Sequence, residues 1–204
     1  MRLNMSETVP LKLLFLMLFV SCNPSNTPEK KFNGADTLAE LDDLLLQLNQ
    51  IDTSNSKKLD EIVTLNEKMR GLIENIRSPK QFDELLKAYN EDLQITFTFS
   101  KDKNIGVFSW RTKMGFLGNN IKNIALYKFN NKVIASSLYG ESLIYHEIES
   151  RIKNNKTVYL LRGTLYQEKK PRPLTINGYA ITNGILEESR IPLPENAYVN
   201  NTVQ

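Results

Sequence analysis

Few side chains of this sequence can do covalent chemistry. His146 is the one histidine and Cys22 the one cysteine, so a Ser–His or Cys–His nucleophile has no choice of base, and zinc lacks its three or four nitrogen and sulfur ligands. His146 lies in Leu143-Ile144-Tyr145-His146-Glu147-Ile148, where strand alternation puts Ile144, His146 and Ile148 on one face. An imidazole titrates in the range of a general base. With no nucleophile or acid at a recognisable spacing, the expectation is a partly buried strand histidine bonded to a neighbour. Glu147 and Glu149 alternate on the same strand, roughly 6.6 Å apart at about 3.3 Å per residue. That lies between the carboxyl separations of retaining and inverting glycosidases. A solvated strand face is expected, with a carboxylate hydrolase as the alternative. No Walker loop, G-x-G-x-x-G, G-x-S-x-G or H-E-x-x-H occurs, and no metal, nucleotide or other cofactor is expected.

Two places suit binding better than catalysis. Lys169-Lys170-Pro171-Arg172-Pro173 is a basic segment between strands, suited to anionic headgroups or to an exposed hairpin tip. Trp110, the one tryptophan, precedes Arg111 and a Gly-containing loop. Exposed, the pair is a binding anchor; turned inward, Trp110 is the largest core piece of a sheet. Phe108 shares its face while Val107 and Ser109 take the other, which favours the inward placement. Trp110, Arg111, Lys169, Lys170 and Arg172 together form the candidate binding patch.

Composition sets the frame for these residues. The chain has 204 residues, 41% hydrophobic and 24% charged, with net charge +3. This is the balance of an ordinary folded protein, too weakly basic to point to nucleic acid. At the N-terminus, Arg2 and Lys12 precede the apolar run Leu13–Val20, then Ser21 and Cys22, as in a secretory signal peptide. The run makes about 12 Å of helix, short of a membrane span.

The segment Phe19-Val20-Ser21-Cys22 resembles the lipobox of bacterial lipoproteins, with Phe19 where Leu is usual. The resemblance implies cleavage after Ser21, diacylglycerol on the Cys22 thiol and an acylated α-amine. Two or three acyl chains hold a protein at a bilayer almost irreversibly, at about 0.8 kcal/mol per buried CH₂. Asn23 differs from the Asp that retains some lipoproteins at the inner membrane, and no acidic run follows Cys22. The resemblance thus implies an outer-membrane anchor facing the periplasm. The strand half, roughly Leu93 to Glu188, is also similar to uncharacterised lipoproteins of Gram-negative bacteria, through Phe108-Ser109-Trp110 and Tyr159-Leu160-Leu161-Arg162-Gly163.

The expected organisation is a signal peptide over 1–21, a lipidated cysteine and tether over 22–36, helices over 37–90, antiparallel strands over 91–190 and a polar tail over 191–204. Thr37 and Glu40 form a capping box, and Leu38, Leu41, Leu44, Leu45, Leu48 and Ile51 make one helical stripe. After Asp52–Ser56, which offers Ser or Asn caps, Leu59, Ile62, Leu65, Met69, Leu72 and Ile76 make a second stripe. Ser78-Pro79-Lys80-Gln81 opens a third helix. The stripes can bury one another or dock a partner helix; mutual burial is expected. From Leu93 the period becomes two, and about eight strands follow on short turns, among them Asn130-Asn131-Lys132 and Thr182-Asn183-Gly184. Short turns force antiparallel neighbours. The fold is therefore expected to be α+β: a helical hairpin, a short third helix, then an antiparallel meander closing as a barrel or sandwich.

The favoured function is a lipid-anchored envelope protein with a non-catalytic binding module for a protein or glycan partner. A cell-wall or polysaccharide hydrolase and a structural spacer are the alternatives.

Overall fold

A computed structural model describes residues 31–54, 56–115, 119–153, 156–165 and 174–189. The expected signal peptide, Ser21, Cys22 and the tail over 191–204 lie outside them.

Helix α1 spans Gly34–Gln50. It opens three residues before the expected capping box, because Asn33 is the cap. Its Oδ1 accepts from the amides of Ala35 at 2.9 Å and Asp36 at 3.4 Å, while the Thr37 hydroxyl donates back to the Asn33 carbonyl at 2.9 Å inside the first turn. Gly34 is required there, since a Cβ would lie 2.6 Å from the Glu84 backbone. Helix α2, Leu59–Glu74, follows a 3₁₀ turn and has no side-chain cap. The expected Ser cap is used elsewhere: the Ser54 amide and hydroxyl donate to Asp52 at 2.9 and 2.8 Å. Asp60 and Glu61 in the first turn suit the positive end of the helix dipole. Helix α3, Pro79–Ala88, carries the expected Ser78–Gln81 capping box.

Eight strands follow: β1 Thr96–Phe99, β2 Ile105–Met114, β3 Asn119–Phe129, β4 Lys132–Leu138, β5 Leu143–Lys153, β6 Lys156–Leu165, β7 Leu174–Thr182 and β8 Ile185–Glu188. All pair antiparallel with their sequence neighbours, in two four-stranded sheets ordered β1-β2-β3-β4 and β5-β6-β7-β8. The sheets do not close into a barrel, so the fold is an α+β sandwich. Both Asn turns have left-handed backbone, at Asn130 and Asn131 (φ 45° and 59°) and at Asn183 and Gly184 (52° and 81°), as type I′ hairpins require. The first ladder starts at Thr96 rather than Leu93, because the amides of Gln94 and Ile95 both donate to Asp42 Oδ1 on α1, at 2.6 and 3.0 Å.

The first sheet is covered on both faces. One face carries Phe97, Phe108, Trp110, Ile124, Leu126 and Val133 into a core shared with the stripes of α1–α3. The other sends Ile105, Val107, Ala125 and Tyr127 against Leu143, Tyr145, Ile148, Tyr159, Leu161 and Tyr179 of the second sheet. Hence Ile105–Trp110 are all buried despite their alternation. Phe97 and Phe108 stack at 4.1 Å between ring centroids, and Phe82 and Tyr89 meet Phe97 edge-on. The helical and strand segments therefore share a core rather than forming separate domains.

Candidate binding cleft

Asn66 is the polar residue in the buried stripe of α2, 5% exposed. Its Nδ2 donates to the Ile62 carbonyl at 2.8 Å and the Thr112 carbonyl at 3.0 Å, and its Oδ1 accepts the Trp110 indole N–H at 2.9 Å. Burial of the Trp110 ring, 2% exposed, is thus matched by a partner for its one polar atom. Beyond this bonded pair, a cleft of about 240 Å³ opens between α2 and the far end of β2–β4.

Met114 supplies an apolar wall, Ile121 and Leu138 border the cleft although strand alternation turns them to the other face of the sheet, and Glu67, Arg70, Lys122, Tyr139 and Glu141 bring aromatic and charged groups. Lys122 Nζ stands 5.7 Å from the Tyr139 ring centre, and that ring is 81% exposed. Arg70 Nε donates to Glu67 at 2.8 Å, and Glu74 adds a second carboxylate at 3.4 Å; these bonds, Glu67 first, hold the guanidinium above its ordinary pKa. The floor is saturated with internal hydrogen bonds while the rim is charged. Such a cleft receives an apolar group inward and leaves polar atoms at its mouth.

A bulge at the end of β2 fixes one wall. Pairing shifts between Arg111 and Met114, and Lys113 adopts left-handed backbone, φ 57°. That conformation carries its Nζ to the carbonyls of Asn49 and Ile51, at 2.6 and 2.7 Å, where a cation suits the negative end of α1.

Trp110 turns inward, as expected, and lines this cleft. Arg111 is exposed on the opposite face of β2, so the two do not make one patch; strand alternation separates them. Lys169, Lys170 and Arg172 lie outside the described residues. The helical stripes bury each other and the first sheet, so they are not open to a partner helix, whereas the cleft is open to a ligand.

His146 departs from its expected face and burial. It is the extra residue of a bulge between Tyr145 and Glu147, which switches the strand phase and sends Ile148 to the core with Tyr145. The imidazole is exposed, with Nε2 2.9 Å from Thr164 Oγ1, the neighbour bond expected of it. Glu147 and Glu149 share a face, as expected, with Arg162 across from them: Arg162 Nη2 donates to Glu149 at 2.8 Å, and its Nε is 3.7 Å from Glu147. Hydrogen bonds from Arg151 first, then Arg162, hold the Glu149 carboxyl below its ordinary pKa, opposite to the shift a glycosidase acid needs. Among the described residues, no group of three or more His, Cys, Asp or Glu side chains gathers as metal ligands, and no helix is long and apolar enough to cross a membrane.

Neither Asn66 nor Tyr139 stands out as functional in the sequence. Asn66 carries a signal nonetheless: an amide between Leu65 and Met69 on an apolar stripe needs a buried partner. Compared with known proteins, the chain matches no family model, no curated protein and no solved structure.

Proposed function

We propose that this protein is a lipid-anchored component of the bacterial cell envelope, outer-membrane bound and facing the periplasm, that binds a partner through the Trp110 cleft without catalysis. The anchor is supported by the placement of the one cysteine directly after Phe19-Val20-Ser21. The single observation carrying the binding role is the cleft itself. Its floor is hydrogen-bonded internally through Asn66 and Trp110, and Trp110 and Met114 give an incoming group an apolar surface to cover. Metabolic labelling with a fatty-acid analogue tests the anchor: wild type becomes labelled and Cys22→Ala does not, and an unlabelled wild type removes the anchor. A photo-crosslinking residue at Tyr139 tests the cleft in intact cells. It yields a discrete adduct that the same residue at Lys101 does not, and identical patterns from both positions remove the cleft as the site.

One observation favours a hydrolytic second reading: Glu67 and Glu141 both line the cleft. Glu67 accepts from Arg70, an arrangement suited to a carboxylate acceptor rather than a proton donor. Release of reducing ends from peptidoglycan or envelope polysaccharide by wild type but not by Glu141→Gln would establish it over the binding role.

A further inference from the structure

The free edge of the first sheet runs into this cleft. Strand β4 is its last strand, and the two-residue turn at Asn130-Asn131 sets the hydrogen-bond phase of the hairpin, with Phe129 opposite Lys132. In that phase Val133, Ala135 and Ser137 turn their N–H and C=O groups away from β3. The chain already uses the first of the three: the Val133 amide donates to the Arg77 carbonyl at 2.9 Å. Among the described residues, no backbone partner meets the outward groups of Ala135 or Ser137. Leu138, the next residue, lines the cleft together with Tyr139, Gly140 and Glu141.

The other edges are guarded. Strand β1 lies alongside β5 of the second sheet, and the short β8 ends in exposed Glu187 and Glu188, where charge discourages pairing. Along β4 from Ile134 to Leu138 there is no charge and no proline, so the usual protections against an added strand are missing there.

We infer that the partner of this cleft is an extended polypeptide segment that adds to the outer edge of β4 and inserts one large apolar side chain beside Trp110. This rests on the binding role proposed above and names its ligand class. Antiparallel addition gives up to two backbone bonds each at Ala135 and Ser137. Their spacing, about 6.8 Å, selects an extended peptide backbone, and a glycan offers no such alternation of donors and acceptors. The cleft, about 240 Å³, accepts a single side chain at the end of that ladder. The backbone bonds give affinity and the inserted side chain gives sequence preference.

The test uses the full-length chain in detergent and a random library of displayed linear heptapeptides. Trp110, the one tryptophan, reports occupancy by its fluorescence. The expected result is a family of selected peptides with one shared large apolar position, each shifting Trp110 emission. N-methylation of alternate amides in a selected peptide weakens binding at least tenfold, and N-methylation of the intervening amides leaves it near wild type. Ser137→Pro, which removes an outward N–H and no ladder bond, gives the same tenfold loss; the methylated peptides repeat the test on unaltered protein. Binding indifferent to amide methylation overturns strand addition. Selected peptides that leave Trp110 emission unchanged overturn the cleft as their anchor. If the library yields nothing while a glycan array shifts Trp110 emission, the peptide inference fails and the binding role stands; if neither binds, both fail. A concentration-dependent dimer broken by Ser137→Pro also overturns the inference, because the edge would then serve a second copy of the chain.

Discussion

Trp110 on β2 donates its indole N–H to the Asn66 side chain on α2 at 2.9 Å, a buried bond that joins the helical layer to the first sheet at the floor of the cleft. Asn66→Ala leaves that N–H without its acceptor and costs roughly 2 kcal/mol or more. Urea unfolding followed by far-ultraviolet circular dichroism, a readout that survives loss of the one tryptophan, checks this. A double-mutant cycle with Trp110→Phe is expected to show coupling, since both changes remove the same bond. Strict additivity would mean the two residues are energetically independent.

Asp42 is expected to act as the clamp between α1 and the start of the first sheet, through its two bonds to the amides of Gln94 and Ile95. Asp42→Ala loses about 1–3 kcal/mol. Hydrogen exchange is expected to report the loss locally, with protection falling at residues 94 and 95 before it falls along β2. A uniform change across the protein would contradict a local clamp.

Lys113 offers a separation of backbone from side chain. Lys113→Ala loses the bonds to Asn49 and Ile51 while keeping a side chain in left-handed backbone. Lys113→Gly loses the same bonds but relaxes the backbone. The glycine variant is therefore expected to be the more stable, by about 1 kcal/mol, in thermal unfolding of the two side by side.

Stability is expected to fall at both pH extremes through one contact, the Tyr159 hydroxyl donating to Asp102 at 3.2 Å. Burial raises the Asp102 pKa, but hydrogen bonds from Ser100, Asn104 and Tyr159 together outweigh it and bring the carboxyl below its ordinary value. A depressed carboxyl contributes stability above its unfolded pKa, and that contribution is lost as pH falls below about 4. Burial first, then the Asp102 charge, pushes the Tyr159 phenol up to about 12. A raised phenol contributes fully below its unfolded pKa of about 10 and loses that contribution as pH climbs toward 12. Tyr159→Phe is expected to flatten part of the alkaline limb of a melting-temperature profile. Burial raises the Tyr145 and Tyr179 phenols as well, so a residual alkaline decline remains in the variant.

The helices and strand meander were legible because their side chains repeat with two distinct periods. The stripe from Leu38 to Ile51 is buried as its three- and four-residue spacing demands. Errors arose where a polar atom, invisible to periodicity, decided the outcome. Asn33 took the start of α1 from Thr37, and Asp42 delayed the first ladder to Thr96. The bulge at His146 reversed which residues face inward, and alternation cannot foresee an inserted residue. Of the two patch residues among the described ones, Trp110 lines the cleft and Arg111 does not. The partner of Trp110, Asn66, forty-four positions earlier, is brought there by the packing of α2 on the sheet.

Because the first sheet is clad on both sides, folding that has reached only β4 leaves a wall without its second covering. Ile105, Val107, Ala125 and Tyr127 then stay wet until Tyr145, Tyr159 and Tyr179 pack against them. A half-folded chain in that condition is sticky, and a holdase helps it most in the interval before the second sheet docks.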